Sequence, residues 1–334
     1  MITRTVPTWQ YPRWQDELAD LIRDPRELFE LLDLDPSLLP DAVKASADFD
    51  LKVPRAFARR MQKGNLRDPL LMQVLPLGEE LDAHPGFLED PVGDLQSNPV
   101  PGLIHKYQGR VLLVVAGNCA VNCRYCFRRH FPYQANNPDR KQWQQAIDYI
   151  AADTSISEVI YSGGDPLALA DKQLAWITRA IDGIAHVKRL RIHTRLPVVA
   201  PSRIDEQCLT WMTDHRMQTV VVLHINHAQE IDEEVRHSVA QLKAAGITVL
   251  NQTVLLRGVN DQVSTLTELS EALFKAGVLP YYLHLLDKVK GARHFDVSVE
   301  QAKMLQESLQ NCLPGYLVPK FVQEIAAKPS KVPL

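Results

Sequence analysis

The stretch AGNCAVNCRYCFRRHF, residues 116–131, places three cysteines within eight positions, at Cys119, Cys123 and Cys126. A disulfide framework uses cysteines in even numbers, and structural zinc uses four ligands, most often in two separated pairs. A 4Fe–4S cluster that only carries electrons takes four thiolates. Three thiolates leave one iron with an open position, which a metal site keeps when it acts on a bound molecule. The spacing therefore favours a catalytic iron–sulfur cluster over a zinc knuckle or a chance grouping.

Short β-branched runs alternate with longer amphipathic segments around this stretch. The predicted strands are RVLLVVAG (110–117), SEVIYS (157–162), KRLRIHT (188–194), TVVVLHI (219–225), ITVLNQTVLL (247–256) and VLPYYLHLL (278–286). Helical segments such as DKQLAWITRAIDGI lie between them, which predicts a parallel α/β sheet, either open or curled into a barrel. The cysteines then fall in the first βα loop, at the strand ends where such folds build active sites.

The composition limits the classes of protein to which this chain can belong. The chain has 334 residues, of which 46% are apolar and 23% are charged, as in ordinary globular domains. The net charge of -3 argues against nucleic acid or a membrane surface as the main partner. No apolar run reaches membrane-spanning length and the N-terminus has no apolar signal core, so we expect a cytoplasmic protein. Residues 1–100 carry short helical patterns and are predicted to form a helical extension to a domain at 101–334.

A second motif, SGGDP, ends the second predicted strand with Ser162, Gly163, Gly164 and Asp165. Paired glycines let the backbone approach a ligand closely, and exposed amides there can bind a charged group. Taken alone the motif would be a turn. Its position beside the cysteine loop makes it a candidate part of the site. Cys208 and Cys312 stand alone and are predicted to be ordinary core or helix residues.

The cysteine spacing, with Tyr125 before the last cysteine, resembles the radical S-adenosylmethionine enzymes. Together with RIHTRLP, NQTVLLRGVND, PYYLHLLDKVKGARHF and KPSKVPL, it resembles the lysine 2,3-aminomutase family. Within that family the chain is most similar to aminomutases that supply (R)-β-lysine for the modification of bacterial elongation factor P. The resemblance runs from about residue 100 to the end, with a looser match before it. It implies a partial (β/α)6 TIM-like barrel with an N-terminal helical extension.

The resemblance also implies three cofactors. Cys119, Cys123 and Cys126 would hold three irons of a 4Fe–4S cluster, and S-adenosylmethionine would bind the fourth iron, with Ser162 to Asp165 near its methionyl amine. A reducing electron donor would then be needed. Pyridoxal 5′-phosphate requires a Schiff-base lysine, which the following Val-Pro aligns with Lys331. Lys328 is a neighbouring competitor, and a frayed basic tail is the plain alternative. The family's glycines in this segment are replaced by Ala326, Ala327, Pro329 and Ser330.

Substrate contacts follow from the same resemblance. Arg128 matches the arginine that binds the substrate carboxylate, for which a planar guanidinium is well suited. Asp287 and Glu324 match the two carboxylates that bind the distal ammonium, Glu324 replacing an aspartate. One cation facing two anions fits a free dibasic amino acid, L-lysine. Further polar residues are implied to lie around the cofactors: His224 and Gln252 near the adenosine, Tyr107 and Arg110 around pyridoxal phosphate, and His193 and Arg195 along the cavity.

The implied function is the isomerase reaction from L-α-lysine to (R)-β-lysine. Tetrameric members of the family carry a C-terminal zinc site that is joined by a cysteine directly after GVND. Here Gln262 follows GVND and the sequence ends at Leu334, so we expect no structural zinc. This difference favours a functional link to the synthetase that modifies elongation factor P. The alternatives are a free-standing aminomutase of lysine metabolism, a non-catalytic iron–sulfur protein and an accessory binding protein.

Overall fold

The structure is a computed structural model that describes residues 13–82, 84–134, 136 and 140–334. Its described residues include one nine-stranded sheet, in which the strands follow the order of the sequence. The strands are β1 Leu103–Tyr107, β2 Arg110–Ala116, β3 Glu158–Gly163, β4 Arg189–Thr194, β5 Gln218–His224, β6 Thr248–Val254, β7 Leu279–His284, β8 Lys320–Gln323 and β9 Val332–Pro333. Strands β2 to β8 are parallel, and β1 and β9 pair antiparallel at the two edges.

Helices cross between the successive parallel strands. They are α5 Arg140–Ala152, α6 Asp171–Asp182, α7 Leu196–Val199, α8 Glu206–Thr213, α9 Glu233–Ala244, α10 Val263–Lys275 and α11 Val299–Cys312. A parallel sheet in sequential order with helical crossovers is the fold of a partial (β/α)6 TIM-like barrel. The predicted strands correspond to β2 to β7 and are confirmed, whereas β1, β8 and β9 were not predicted.

Four helices precede the sheet in the described part of the N-terminal segment; residues 1–12 lie outside the described residues. These helices are α1 Trp14–Ala19, α2 Pro25–Leu32, α3 Leu39–Asp48 and α4 Arg55–Ala58. Helix α2 begins where Asp24 accepts a hydrogen bond from the amide of Arg26, with Pro25 at its first position. Leu28 and Phe57 are buried in the same hydrophobic core as Tyr161 of the barrel. The extension therefore packs against the barrel through a shared core.

The N-terminal segment also holds the cysteine loop in place. The amide of Asn122 donates to the carbonyl of Lys52 at 3.1 Å, and the amide of Arg124 donates to the carbonyl of Gln73 at 2.9 Å. These two bonds fix the loop backbone on either side of Cys123. In the part of the chain that the structure describes, no helix combines the length and apolar character needed to cross a membrane.

Candidate active site

The three predicted cluster ligands follow β2 and lie at the C-terminal end of the parallel sheet. Cys119, Cys123 and Cys126 are all free and partly exposed. The amide of Cys126 donates to the carbonyl of Cys123 at 3.0 Å, which folds the second half of the loop into a turn. Burial and the neighbouring thiols raise the pKa of Cys126 to about 11 and that of Cys119 above its usual range. Bound metal would displace these protons, because the thiolate is the ligand.

The donor set fits a cluster better than a single ion. Among the described residues, no three His, Cys, Asp or Glu side chains converge on the position of one metal ion. A cubane cluster does not require this convergence, because each thiolate binds a different iron atom. Three partly exposed thiols on one short loop are consistent with such a cluster.

The glycines of SGGDP allow two loops to approach each other closely. A Cβ atom on Gly163 would overlap the carbonyl of Ala116, and one on Gly164 would overlap the backbone of Asn118. The amide of Gly164 donates to Ala116 at 2.7 Å, and that of Asp165 donates to Asn118 at 2.9 Å. The motif predicts amides that are open to a ligand, whereas these two amides bind the cysteine loop.

The Asp165 carboxylate likewise bonds to the chain itself. It accepts the hydroxyl of Thr194 at 2.7 Å and the amides of Arg195 at 2.7 Å and Leu196 at 2.9 Å. Burial raises its pKa, while these hydrogen bonds act in the opposite direction. The geometry gives Asp165 a positioning role, because it ties the end of β3 to the start of α7.

Arg128 lies at one end of a chain of ion pairs that the sequence did not reveal. Its Nε donates to Asp94 at 2.6 Å, and Asp94 also contacts the amine of Lys106 at 2.5 Å. Lys106 in turn lies 3.0 Å from Glu324, whose other oxygen accepts a hydrogen bond from Lys331 at 2.7 Å. We call these five residues the ionic chain. It brings Arg128, Glu324 and Lys331, all predicted site residues, into one connected group.

A second nitrogen of the Arg128 guanidinium reaches another part of the predicted site. Its Nη1 donates to the hydroxyl of Ser162 at 3.1 Å, so the SGGDP motif contacts Arg128 through this side chain. A small cleft of about 70 Å³ opens beside Arg128 and Asp94, with Phe127 and Phe131 in its lining.

Asp287 and Glu324 have opposite electrostatic environments. Burial, and then the negative charge of Glu324, raise the pKa of Asp287 from 3.8 to about 7. Burial also acts to raise the pKa of Glu324, but Lys331 and Lys106 outweigh it and lower that pKa to about 2. Near neutral pH, Glu324 is therefore ionised, while Asp287 is partly protonated. A further cation beside Asp287 would favour its ionised form.

The C-terminal segment is folded, in contrast to the frayed tail considered from sequence. Strand β9 pairs with β8 through Gln323 and Val332, and the amide of Leu334 donates to the carbonyl of Phe321 at 3.2 Å. This pairing brings Lys331 to Glu324, whereas Lys328 is exposed on the preceding turn. Of the two candidate lysines, Lys331 is the one that lies in the ionic chain.

The polar strand residues named from sequence occupy two regions. His224 and Gln252 are register partners on β5 and β6, and Nε2 of His224 lies 3.0 Å from the hydroxyl of Tyr125. Burial and the charge of Arg195 lower the pKa of His224 to about 3, so its imidazole is neutral. Tyr107 and Arg110 pair at the β1–β2 turn, where the guanidinium lies 4.7 Å from the ring centroid.

His193 adds an unpartnered polar atom to the site. Within the described residues, its Nε2 is buried and has no hydrogen-bond partner. Burial, then the charges of Arg191, Lys331 and Arg128, hold its pKa well below the usual range. A neutral imidazole with a free ring nitrogen can accept or donate a hydrogen bond to a bound molecule. This atom fits a polar ligand near Lys331.

Residues 113–269 match the family described as the Radical SAM superfamily. The chain is 51% identical to L-lysine 2,3-aminomutase of Escherichia coli (strain K12), over 96% of this chain and 94% of that one. It is 33% identical to the protein of the same name from Clostridium subterminale, over 98% of this chain and 78% of that one. A solved structure, Streptococcus suis SuiB bound to S-adenosylmethionine, aligns with a TM-score of 0.47 at 13% identity, covering 66% and 51% of the two chains.

The fold and the cysteine loop define a radical S-adenosylmethionine protein. The chain belongs to the lysine 2,3-aminomutase family, as its nearly full-length relatives show. It is therefore an enzyme of the isomerase class. Family membership implies a 4Fe–4S cluster, S-adenosylmethionine and pyridoxal 5′-phosphate.

Proposed function

We propose that this enzyme moves the amino group of L-α-lysine from C2 to C3, and that its product, (R)-β-lysine, serves in the modification of elongation factor P. The observation that carries the first part is the ionic chain. It holds a buried guanidinium, Arg128, and the carboxylate of Glu324 in one network, with Asp287 in the electrostatic environment of Glu324. A ligand with a carboxylate at one end and an ammonium at the other complements this arrangement.

The role of Arg128 is to bind the substrate carboxylate. Its guanidinium is buried and already oriented by Asp94 and Ser162, so its direction is fixed before a ligand arrives. A fixed planar donor reduces the ordering cost of binding and can bond both oxygens of a carboxylate. A small cleft adjoins this group.

Asp287 and Glu324 bind the distal ammonium of the substrate. Burial, and then repulsion from Glu324, raise the pKa of Asp287, although Lys331 and Lys106 act in the opposite direction, so a further positive charge beside Asp287 would favour its ionised form. A substrate ammonium supplies that charge and lowers the pKa of Asp287, which then releases its proton to solvent. An uncharged side chain of the same length cannot do so, which favours lysine over apolar amino acids.

The cofactors are assigned to groups of this chain as follows. Cys119, Cys123 and Cys126 hold the cluster, and Lys331 holds pyridoxal phosphate, with Tyr107 and Arg110 in the same region. When bound, the cluster with S-adenosylmethionine supplies a radical that abstracts hydrogen, and pyridoxal phosphate supplies a conjugated system that stabilises the migrating nitrogen. Adenosine contacts are assigned to His224 and Gln252.

The residues of the chain orient these groups and exclude water. Glu324 accepts a hydrogen bond from Lys331, which directs the amine toward the centre of the site. His193 offers its free Nε2 close to the same amine, and its neutral form adds no charge to the pocket. Gly163 and Gly164 keep the cysteine loop against β3, so the reacting groups stay in a fixed geometry.

The elongation factor assignment rests on the sequence motifs and on Gln262 after GVND. The synthetase that transfers β-lysine to the factor is the partner this role requires. The assignment predicts that the purified product is accepted by that synthetase in preference to L-α-lysine.

The test is anaerobic reconstitution with iron, sulfide, pyridoxal phosphate, S-adenosylmethionine and dithionite, followed by an assay of L-lysine for β-lysine. Cys312→Ala is the matched control for Cys123→Ala, because Cys312 is exposed on α11. We expect product from the wild type and Cys312→Ala, and none from Cys123→Ala. A reconstituted wild type that cleaves S-adenosylmethionine but never rearranges lysine would overturn the substrate assignment. Product that the synthetase ignores would overturn the elongation factor role alone.

A further inference from the structure

A buried guanidinium contacts one of the predicted cluster ligands. Arg195 follows β4, and its Nη1 donates to the sulfur of Cys123 at 2.8 Å and to the hydroxyl of Tyr125 at 2.7 Å. Its Nη2 donates to Gln73 at 2.7 Å and to Glu230 at 2.9 Å. The side chain is buried and its orientation is set by four acceptors.

Glu230 is the counter-charge, and it is also fixed. It is completely buried in the segment after β5, where one of its oxygens accepts the amides of Asn226 at 2.8 Å and His227 at 3.1 Å. The side-chain amide of Gln73 reaches the same oxygen at 3.2 Å. Cysteine, arginine and glutamate thus come from three separate loops at the strand ends, and Gln73 joins them from the N-terminal extension.

Such a pair is poorly explained by stability alone. Burying two charges costs several kcal/mol of desolvation, and apolar residues of similar volume often stabilise a core at least as well. A surface lysine would suffice as a tether for the loop. A buried charge acts over a short distance in a medium of low dielectric constant, so its main effect falls on the group it touches, here the sulfur of Cys123.

We propose that Arg195 and Glu230 are positioning residues that set the reduction potential of the iron–sulfur cluster. The inference rests on Cys123 as a cluster ligand, which belongs to the proposed function. Reduction adds one electron to the cluster. A cation and an N–H donor at a ligand sulfur stabilise the added charge and raise the potential, whereas a nearby carboxylate lowers it. The pair therefore makes two opposite contributions, and removing each member should shift the potential in opposite directions.

The test is an equilibrium redox titration of the reconstituted holoenzyme, in which the reduced cluster is measured by electron paramagnetic resonance. In Arg195→Gln we expect a lower reduction potential. The ratio of reduced to oxidised cluster at a fixed ambient potential should fall about tenfold, which corresponds to a shift of about 59 mV for a one-electron couple. Glu230→Gln should shift the potential upward, and the double variant should return close to wild type.

Two further variants distinguish an electrostatic shift in potential from an effect of misfolding. Arg195→Lys keeps the charge and should give a smaller downward shift than Arg195→Gln, even if the latter loses part of its cluster. The matched control is Arg203→Gln, because Arg203 is also buried and paired with an aspartate, Asp171 at 2.6 Å, but does not contact the cysteine loop. Its potential should equal that of wild type.

The outcomes separate this inference from the function on which it rests. An intact cluster in Cys123→Ala would overturn the ligand assignment. A cluster that depends on Cys123, but whose potential does not move in Arg195→Gln, or moves in the same direction in Arg195→Gln and Glu230→Gln, would overturn the tuning inference alone.

Discussion

The amine of Lys331 lies 2.7 Å from a carboxylate oxygen of Glu324, and the other oxygen of Glu324 lies 3.0 Å from Lys106. Two ammonium groups of the chain itself thus occupy the acidic end of the site. The β8–β9 pairing produces this contact, since it returns the C-terminal segment across the end of the sheet. A substrate ammonium that binds here must compete with these internal amines or pair with the remaining carboxylate, Asp287.

Cluster binding should depend on three cysteines and be indifferent to the other two. Replacing Cys119, Cys123 or Cys126 by Ala should abolish the iron–sulfur signal, because each thiolate holds its own iron. Cys312→Ala should have no effect, and Cys208→Ala should cost only stability, on the order of 1 kcal/mol for a small core cavity. Iron analysis and electron paramagnetic resonance measure this directly. Retention of the full cluster in any of the first three variants would contradict the assignment.

Lys331→Ala should remove the absorbance of protein-bound pyridoxal phosphate and leave the iron–sulfur cluster in place. The physical reason is its position, since Lys331 lies within the ionic chain while Lys328 is exposed. Lys328→Ala is the control and should retain the absorbance. Borohydride reduction followed by peptide mapping identifies the modified lysine. A pyridoxyl group on Lys328 would show that the sequence register of the C-terminal segment is wrong.

The strands that could be predicted from sequence are those whose signal is local. Strands β2, β3 and β5 are rich in β-branched residues, β4 and β6 alternate buried with less buried positions, and β7 is rich in Leu and Tyr. Strand β9 has two residues and one of them is Pro333, which weakens the sequence signal for a strand. Its pairing with β8 is a tertiary contact that local sequence does not encode. The position of Lys331 could therefore be reached only through resemblance.

The residues of the candidate site likewise fall into those that the sequence could indicate and those that it could not. The predicted cluster ligands are close in sequence, so their spacing alone indicates them. Asp94 lies 34 positions from Arg128, and Lys106 lies 218 positions from Glu324, so neither belongs to a recognisable motif. The glycines of SGGDP showed that a close approach was needed. They could not show that the approaching group is the chain's own cysteine loop.

Ala327 has a φ of 63°, in the left-handed region where glycine is preferred, and it stands where the resembled family has a glycine. This conformation costs a non-glycine residue roughly 1–2 kcal/mol, which is partly offset because glycine gains more freedom in the unfolded chain. Ala327→Gly should therefore raise stability slightly, by less than about 1 kcal/mol. Chemical denaturation measures the free energy of unfolding, with Ala326→Gly as the control. Destabilisation by Ala327→Gly alone would show that this backbone strain is absent in solution.

Asp287 should make the ligand-free protein less stable as pH rises. Burial and then Glu324 raise its folded-state pKa from 3.8 to about 7. A raised carboxyl pKa contributes stability that is fully present below the ordinary value and is lost as pH rises to the folded value. Asp287→Asn cannot ionise, so its advantage over wild type should grow between about pH 4 and pH 7 and then level off at a few kcal/mol. Melting temperatures across that range test this. Parallel curves for the two proteins would contradict the raised pKa.

The same substitution should have the opposite effect on substrate binding. A carboxylate that pairs with a buried ammonium contributes about 1.5–3 kcal/mol, so Asp287→Asn should weaken lysine binding roughly ten- to a hundredfold. Norleucine, which lacks the ammonium, should lose little affinity, and ornithine, which is one methylene shorter, should bind wild type less tightly than lysine does. Wild-type affinity for lysine should also fall as pH drops below about 7, where Asp287 becomes protonated.

Glu307→Gln is the matched control for this experiment, because Glu307 is exposed on α11. Isothermal titration of the reconstituted enzyme with lysine, ornithine and norleucine gives the comparison. Glu324→Asp should keep lysine binding, because it retains the charge and shortens the side chain by only one methylene. Equal losses of affinity for lysine and norleucine in Asp287→Asn would show that this carboxylate is structural. Recognition of the dibasic substrate would then rest on Arg128 and Glu324, and the stability gain of Asp287→Asn would remain as the only consequence of its charge.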